Sequence, residues 1–384
     1  MSTIDASDHR TIDDALFTVA FAALPMTSLI TPGVHLPVSE FVVGFAVLLA
    51  LLRPPRVATR PPAWLSIGLW STFTLLGLSA FLNGLETVDA GKRMAHVLLY
   101  VLLALMLAMG AIPRRAVARG LVLGIVLSAG VGMMTALTGL GPNHYPGRLT
   151  GLFGDPNVAG YLLVTLGMIA VAGRRPGWQR TTLALFVVAA VVMTLSRTSL
   201  LALAFGAMWI LFGWRLRPAV GVGLIAALGV AVSFLPIDIQ SAGPFQDRMG
   251  SDALRSRIVA AELQTVGDAP LLGHGPSTAH VVLSDQYVFF FHSSYLALAA
   301  EGGFATLLVL SIVLLLSLWR LVSLPTRRRD PWLEASLIAV AVCSINLGEV
   351  LLELTAAVAI GLAVKHVLEN REAPAAVEEA PVLR

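Results

Sequence analysis

Residues 292–319 read HSSYLALAAEGGFATLLVLSIVLLLSLW. After the opening histidine and serines, the run carries one charged side chain, Glu301. A helix needs ~20 mostly apolar residues, in a range of ~17–25, to cross the hydrocarbon layer of a bilayer. Residues 293–319 satisfy that length, so the stretch is a membrane span with a polar cluster at its mouth. The same ruler laid along the chain marks about twelve spans: 15–31, 36–52, 63–82, 95–112, 117–139, 157–173, 181–195, 198–213, 218–236, 293–319, 331–347 and 350–367. The seventh and eighth are divided only by Ser196-Arg197, which would also fit a break within one long hairpin.

Composition agrees. Of 384 residues, 57% are hydrophobic and 13% charged, and mean hydropathy is +0.81. A soluble domain of this size would have too little polar surface to cover itself, so the chain is an all-α polytopic membrane protein. The pI of 9.3 does not point to nucleic acid, because the arginines are spread along interhelical loops. The single cysteine, Cys343, lies inside an apolar run and offers neither a disulfide framework nor a thiolate metal site. The first fourteen residues, MSTIDASDHRTIDD, lack a basic n-region and lead into an uncleaved first span.

Cytoplasmic loops of membrane proteins collect Lys and Arg. With the N-terminus inside, inner loops receive Arg53, Arg56, Arg60, Arg114, Arg115, Arg119, Arg174, Arg175, Arg180, Arg215, Arg217, Arg320 and Arg327 to Arg329. Arg10, Lys365, Arg371 and Arg384 add to these, making 19 of 26 basic residues inside. The seven outside are Lys92, Arg93, Arg148, Arg197, Arg248, Arg255 and Arg257. Both termini are therefore expected in the cytoplasm. That orientation puts the one long loop, about 237–292 between spans 9 and 10, on the extracytoplasmic face. Within it LRSRIVAAELQTV has helical spacing and PLLGHGP is a turn cluster. Residues 1–370 form one membrane-embedded domain, and the Ala/Pro/Glu-rich end, 371–384, reads as a disordered tail.

Charged and hydrogen-bonding groups at span ends mark a working site unless they face lipid headgroups. Arg197 opens the eighth span, where an arginine can also snorkel to the interface. Arg148 begins the segment RLTGLFGDPN, whose Asp155, Pro156 and Asn157 have the pattern of a capped helix start. Arg255 and Arg257 lie on the loop helix. His292 ends the loop directly before a span, with Ser293 and Ser294 as candidate caps, and the helix N-terminus disfavours its imidazolium form. Four arginines and one base thus gather on one face. Guanidinium groups bind pyrophosphate through forked, charge-assisted hydrogen bonds, and a neutral histidine can take a proton from an attacking hydroxyl. Outside, the sequence has no DxD, HExxH or carboxylate cluster, so neither a divalent metal nor any other cofactor is expected. Glu301 lies nine residues past His292, at about 100° per residue on the opposite helix face, and should contact another helix. Near the outer surface Glu349 and Glu353 are spaced one turn apart on a common helix face, with Asn346 close by.

Three stretches in order resemble the O-antigen ligase and polymerase superfamily of bacterial polysaccharide assembly. GRLTGLFGDPNVAGYL is similar to its R-x-x-G-x-F-x-x-P-N segment, and TLSRTSLLAL to its S-R-[TG]-x-x-L-x-L segment. RIVAAELQTVGDAPLLGHGP with HSSYLALAAEGG is similar to the loop half ending P-x-x-G-x-G followed by H-N-x-Y-L-x-x-L-x-E-x-G. The motifs cover roughly residues 140–320. The resemblance implies transfer of a glycan from undecaprenyl-pyrophosphate to an acceptor hydroxyl outside the cytoplasmic membrane, with inversion and without a metal. It assigns His292 as the base, Arg257 and Arg197 as pyrophosphate-binding arginines, and Arg148 as the arginine of the P-N segment. Arg255 adds to the carrier-binding set, with Asn157, Ser293, Tyr295 and Glu301 in support. Ser293 stands where the family usually has Asn, a departure that bears on acceptor choice. A lipid, a growing glycan and a protein are the alternative acceptors within the superfamily, giving a ligase, a polymerase or an O-oligosaccharyltransferase. A transporter of lipid-linked sugar or a small anion is the alternative of another class, and mid-membrane charge would favour it.

Overall fold

A computed structural model describes residues 3–31, 37–53, 59–140, 145–233, 249–283 and 287–371. The chain folds as α1 (Thr3–Ala23), α2 (Val38–Leu52), α3 (Ala63–Leu82), α4 (Val88–Met109), α5 (Arg114–Thr138), α6 (Pro156–Ala172), α7 (Trp178–Thr194), α8 (Arg197–Phe212) and α9 (Pro218–Ser233). Then come α10 (Met249–Gly267), strands β1 (His280–Val282) and β2 (Val288–Phe290), and α11 (Ser294–Val322), α12 (Pro331–Asn346) and α13 (Leu354–Arg371). Five helical stretches, Ala63–Leu82, Val88–Met109, Arg114–Thr138, Arg197–Arg215 and Ser294–Val322, are long and apolar enough to cross a membrane. Shorter apolar helices accompany them in α2, α6, α7, α9 and α12. This is a multi-pass membrane protein.

A helix lies across each stretch expected to span, but several bounds move, each for a local reason. The first helix begins within the polar leader and ends at Ala23, two residues before Pro25, because the residue preceding a proline is pushed out of helical geometry. Ser196-Arg197 does separate two helices: α7 ends on Leu195 in the left-handed conformation (φ 49°) and α8 starts at Arg197. The last helix starts at Leu354 rather than 350, so Glu349 and Glu353 lie in a non-helical link and do not share a helix face as the spacing suggested. Its C-terminal end runs to Arg371, where the Asn370 carbonyl accepts from Arg328 Nη1 at 2.7 Å. The rest of the expected tail, like Arg56 and Arg248, lies outside the described residues.

α1 packs on α5, where a side chain at Gly124 would collide with the Ala22 carbonyl; small residues let membrane helices approach this closely. α12 packs between α6 and α8, α13 lies on α4, and α11 lies on α3. The described part of the long loop packs on α11 as α10 and a two-stranded antiparallel pair that sets Val281 against Phe289. This pair and an isolated bridge between Ile30 and Pro37 are the departures from an all-helical fold among the described residues.

The loop is fastened by a break in α11. Gly303 adopts φ 73°, and a Cβ there would meet the Leu271 carbonyl. Around the break, the carbonyl of Ala300 accepts from His274 N at 2.7 Å and that of Glu301 from Gly275 N at 2.9 Å. Ser79 Oγ donates to Glu301 O at 2.9 Å and Asn83 Nδ2 to Gly273 O at 3.0 Å. The P-x-x-G-x-G turn is thus a plug that satisfies backbone groups the kink frees, which a continuous helix would have paired internally.

Candidate active site

His292 leaves β2 and precedes the first turn of α11. Its neighbour Ser293 caps that helix, accepting from Leu296 N at 3.4 Å. Ser294, the other candidate, instead donates to Leu347 O and accepts from Val350 N at 2.8 Å, tying α11 to the α12–α13 link. His292 Nδ1 is 3.2 Å from the carbonyl of Phe290. A carbonyl can only accept, so Nδ1 carries the hydrogen and Nε2 is left as the acceptor of a neutral ring. Burial, then the nearby Arg255 guanidinium, holds His292 below its ordinary pKa, against a smaller opposing effect of the Phe290 carbonyl. The neutral state expected from the helix N-terminus is obtained mainly by desolvation and a cation.

His292 lines a cavity of about 440 Å³ with Arg255, Asp155, Asn157, Asn346 and Glu349. Asp155 is fixed there by capping α6: its side chain accepts from Asn157 N at 2.7 Å and Val158 N at 3.2 Å, with Pro156 opening the helix. Two smaller cavities adjoin through Glu349. One is lined by Arg93, Ser277 and Glu301, the other by Ser39, Glu40, Glu353 and Thr355.

Two residues that sequence reasoning missed build this region. Glu262, on α10, is fully buried; its Oε1 accepts the His292 backbone N–H at 2.5 Å and lies 3.7 Å from His292 Nδ1. Arg93, on α4, turns inward, with Nε 3.2 Å from Glu301 Oε2 and Nη1 3.9 Å from Glu349 Oε1. Glu301 also accepts from Ser277 N at 2.9 Å, so it does contact another helix, as expected, and clamps the loop as well. No spacing signal marks either residue.

The predicted arginines separate. Arg255 faces the cavity, whereas Arg257, two residues on and about 200° round the helix, is exposed. Arg148 donates to the carbonyls of Thr194 at 2.8 Å and Leu195 at 3.4 Å, where α7 ends, and stacks over Tyr145. That is the work of a helix C-cap, which satisfies otherwise orphaned carbonyls. Arg197 is half-buried at the start of α8, and neither it nor Arg148 or Arg257 lines the His292 cavity. Tyr295 points away, its hydroxyl donating to Ala341 O at 3.0 Å.

Residues 182–311 match the O-antigen ligase family model. The resemblance read from the second and third motifs is thereby shown over that stretch, and the first, at 147–162, lies before it. No curated protein matches the chain. The O-antigen ligase segment contains Arg197, Arg255, Arg257, Glu262, His292, Ser293, Tyr295 and Glu301, whereas Arg93, Arg148, Asn157 and Glu349 come from outside it. Four of the segment's side chains and three from outside it therefore meet in adjoining cavities and contacts: Arg255, Glu262, His292 and Glu301 with Arg93, Asn157 and Glu349. The match over that stretch supports a membrane glycosyltransferase-like function.

Proposed function

We propose that this chain moves a glycan from undecaprenyl-pyrophosphate to an acceptor hydroxyl on the extracytoplasmic face of the bacterial inner membrane, inverting the anomeric centre. One observation carries the reading. His292, its Nδ1–H committed to the Phe290 carbonyl, leaves Nε2 as a proton acceptor in a cavity shared with the Arg255 guanidinium.

In the step, the acceptor oxygen forms its bond to the anomeric carbon on the face opposite the carrier. The bond to the pyrophosphate oxygen breaks and its electron pair leaves with undecaprenyl pyrophosphate. The hydroxyl proton passes to His292 Nε2. Arg255 offsets charge developing on the leaving group, with Arg197 and Arg257 completing the carrier path, and protein walls keep that interaction strong. Asn157 and Asn346 offer hydrogen bonds to acceptor or donor sugar hydroxyls. Read with twelve spans and both termini cytoplasmic, as the basic-residue count expects, this cavity faces the outside.

Purified wild-type and His292→Ala protein, given a lipid-linked oligosaccharide in EDTA, test the reading. The variant should lose ~10²–10⁴ of turnover while carrier binding persists. Product mass separates ligation from polymerisation. Unchanged turnover in the variant removes His292 as base, and carrier flux across liposomes without product would identify a transporter instead.

A further inference from the structure

We infer that Glu262 is the positioning residue of His292, holding the strand-to-helix turn by its backbone and supplying the countercharge for the imidazolium formed during transfer. This rests on the reading of His292 as base. It goes further by giving that base a partner from a different element, 30 residues upstream.

The geometry is specific. Glu262 has no solvent exposure, although it lies on a helix most of whose residues are exposed or half-exposed. Its Oε1 takes the backbone N–H of His292, and the N–H of Ser293 also bonds to the carboxylate. The same oxygen is 3.7 Å from His292 Nδ1, beside the Phe290 carbonyl that Nδ1 meets at 3.2 Å. The second oxygen, Oε2, is buried and finds no hydrogen-bond partner among the described residues. A carboxylate kept only for stability would have both oxygens satisfied, since a buried unpaired polar atom costs stability. Apolar neighbours Ile258, Phe291 and Ala297 close the surroundings.

Other charged and titratable groups near the pair are Arg255 on the same helix and Asp155 and Glu349 across the cavity. His274, from the turn that follows α10, is engaged at the far side, 3.3 Å from the Thr265 carbonyl. Burial first, opposed by the two backbone N–H groups and Arg255, raises the Glu262 carboxyl to about 7. The carboxyl therefore gains its proton at a higher pH than His292 does. Protonated, it still holds the turn; ionised, it also stabilises the imidazolium. On this account the acid fall of kcat in the wild type follows Glu262, near pH 7.

The test compares wild type, Glu262→Gln and Glu262→Asp as full-length proteins in detergent or nanodiscs. Glutamine keeps the volume and an oxygen for the His292 N–H but not the charge. Glu262→Gln should lower kcat ~10–100-fold with donor KM changed less than twofold. Its acid fall should move below pH 6.5, to the titration of His292 alone. Glu262→Asp should recover part of the rate. A wild-type rate and profile in Glu262→Gln overturns the inference, as does loss of donor binding in step with lost folding. A second readout needs no acceptor: diethyl pyrocarbonate modification of His292, resolved by mass against pH. Glu262 is already neutral where His292 titrates, so the pH of half-reactivity should lie below 6.5 and stay in place in Glu262→Gln. A midpoint that falls in the variant would show Glu262 still ionised there and overturn the assignment of the acid fall to Glu262. If His292→Ala retains turnover, the base reading fails by itself. If His292→Ala is inactive and Glu262→Gln is normal, only the role of Glu262 fails.

Discussion

The two ends of the helix bundle each bury a glutamate beside basic groups and a histidine, and they treat them in opposite ways. At the end carrying Arg328 and Arg329, Glu334 receives Arg329 through two hydrogen bonds of 2.8 and 2.6 Å, and Trp209 Nε1 donates to it at 2.7 Å. There His366 has both ring nitrogens engaged, Nδ1 with Arg114 at 3.0 Å and Nε2 with the Arg328 carbonyl at 2.8 Å. At the other end, among the described residues, Glu262 has one oxygen without a hydrogen-bond partner and His292 keeps Nε2 as an acceptor. Satisfied buried charges lock an architecture; incompletely satisfied ones hold capacity for a proton or a ligand. The pattern distinguishes a structural end from a working end without reference to any motif.

That contrast can be broken most forcefully at the histidines. His292→Ala should cost ~10²–10⁴ in turnover, whereas His366→Ala should leave turnover per folded molecule near wild type and lower the melting temperature. Equal loss of turnover from both would erase the distinction. Next in size, Glu334→Gln strips a buried guanidinium of its charge partner and should destabilise the protein by ~3–5 kcal/mol, measured by thermal unfolding in detergent, with turnover retained. The working end is sharpened by two arginines on one helix. Arg255→Ala should weaken carrier binding by ~1.5–3 kcal/mol, the worth of a charged hydrogen bond, and Arg257→Ala by less, because Arg257 is exposed outside the cavity. Titration of the carrier into each variant gives the ranking directly, and the reverse order would reassign the carrier site.

The gentlest probe uses no substitution. Glu262 is raised from 4.5 to about 7 in the folded protein, so folding favours its protonated form. Its stabilising contribution is full below about pH 4.5 and is lost as pH rises through about 7. Amides of α10 should therefore exchange with a larger opening equilibrium at pH 8 than at pH 5, after correction for intrinsic rates. Flat opening across that window would show that Glu262 does not titrate there.

The membrane fold was legible because lipid leaves a chain little choice: backbone groups must pair internally, and the apolar runs that allow it are visible by length. Caps were legible too. Asp155-Pro156 and Ser293 act locally, within three residues of what they bind. The site was only half legible. Glu262 sits in VAAELQ, where it reads as an ordinary polar helix position, and only the fold brings it to His292. Arg93 follows Lys92, and both read as loop charges, yet Lys92 pairs outward with Asp89 while Arg93 turns into the bundle. The strand pair went unseen because its strands are three residues each, too short for an alternating pattern. The Glu349 and Glu353 reading failed for the opposite reason: helical spacing was applied where Ser294 holds the chain in a non-helical link.

The kink at Gly303 has a mechanical meaning. The plug at 270–275, within the long loop, is bonded to the backbone of α11 and, through Asn83, to the end of α3. Three hydrogen bonds thus tie the turn at 270–275 to both helices, so a change in how those helices tilt is carried into that turn. On the proposed function, membrane thickness would then bear on the His292 cavity, and turnover compared in short-chain and long-chain lipid would read that coupling out.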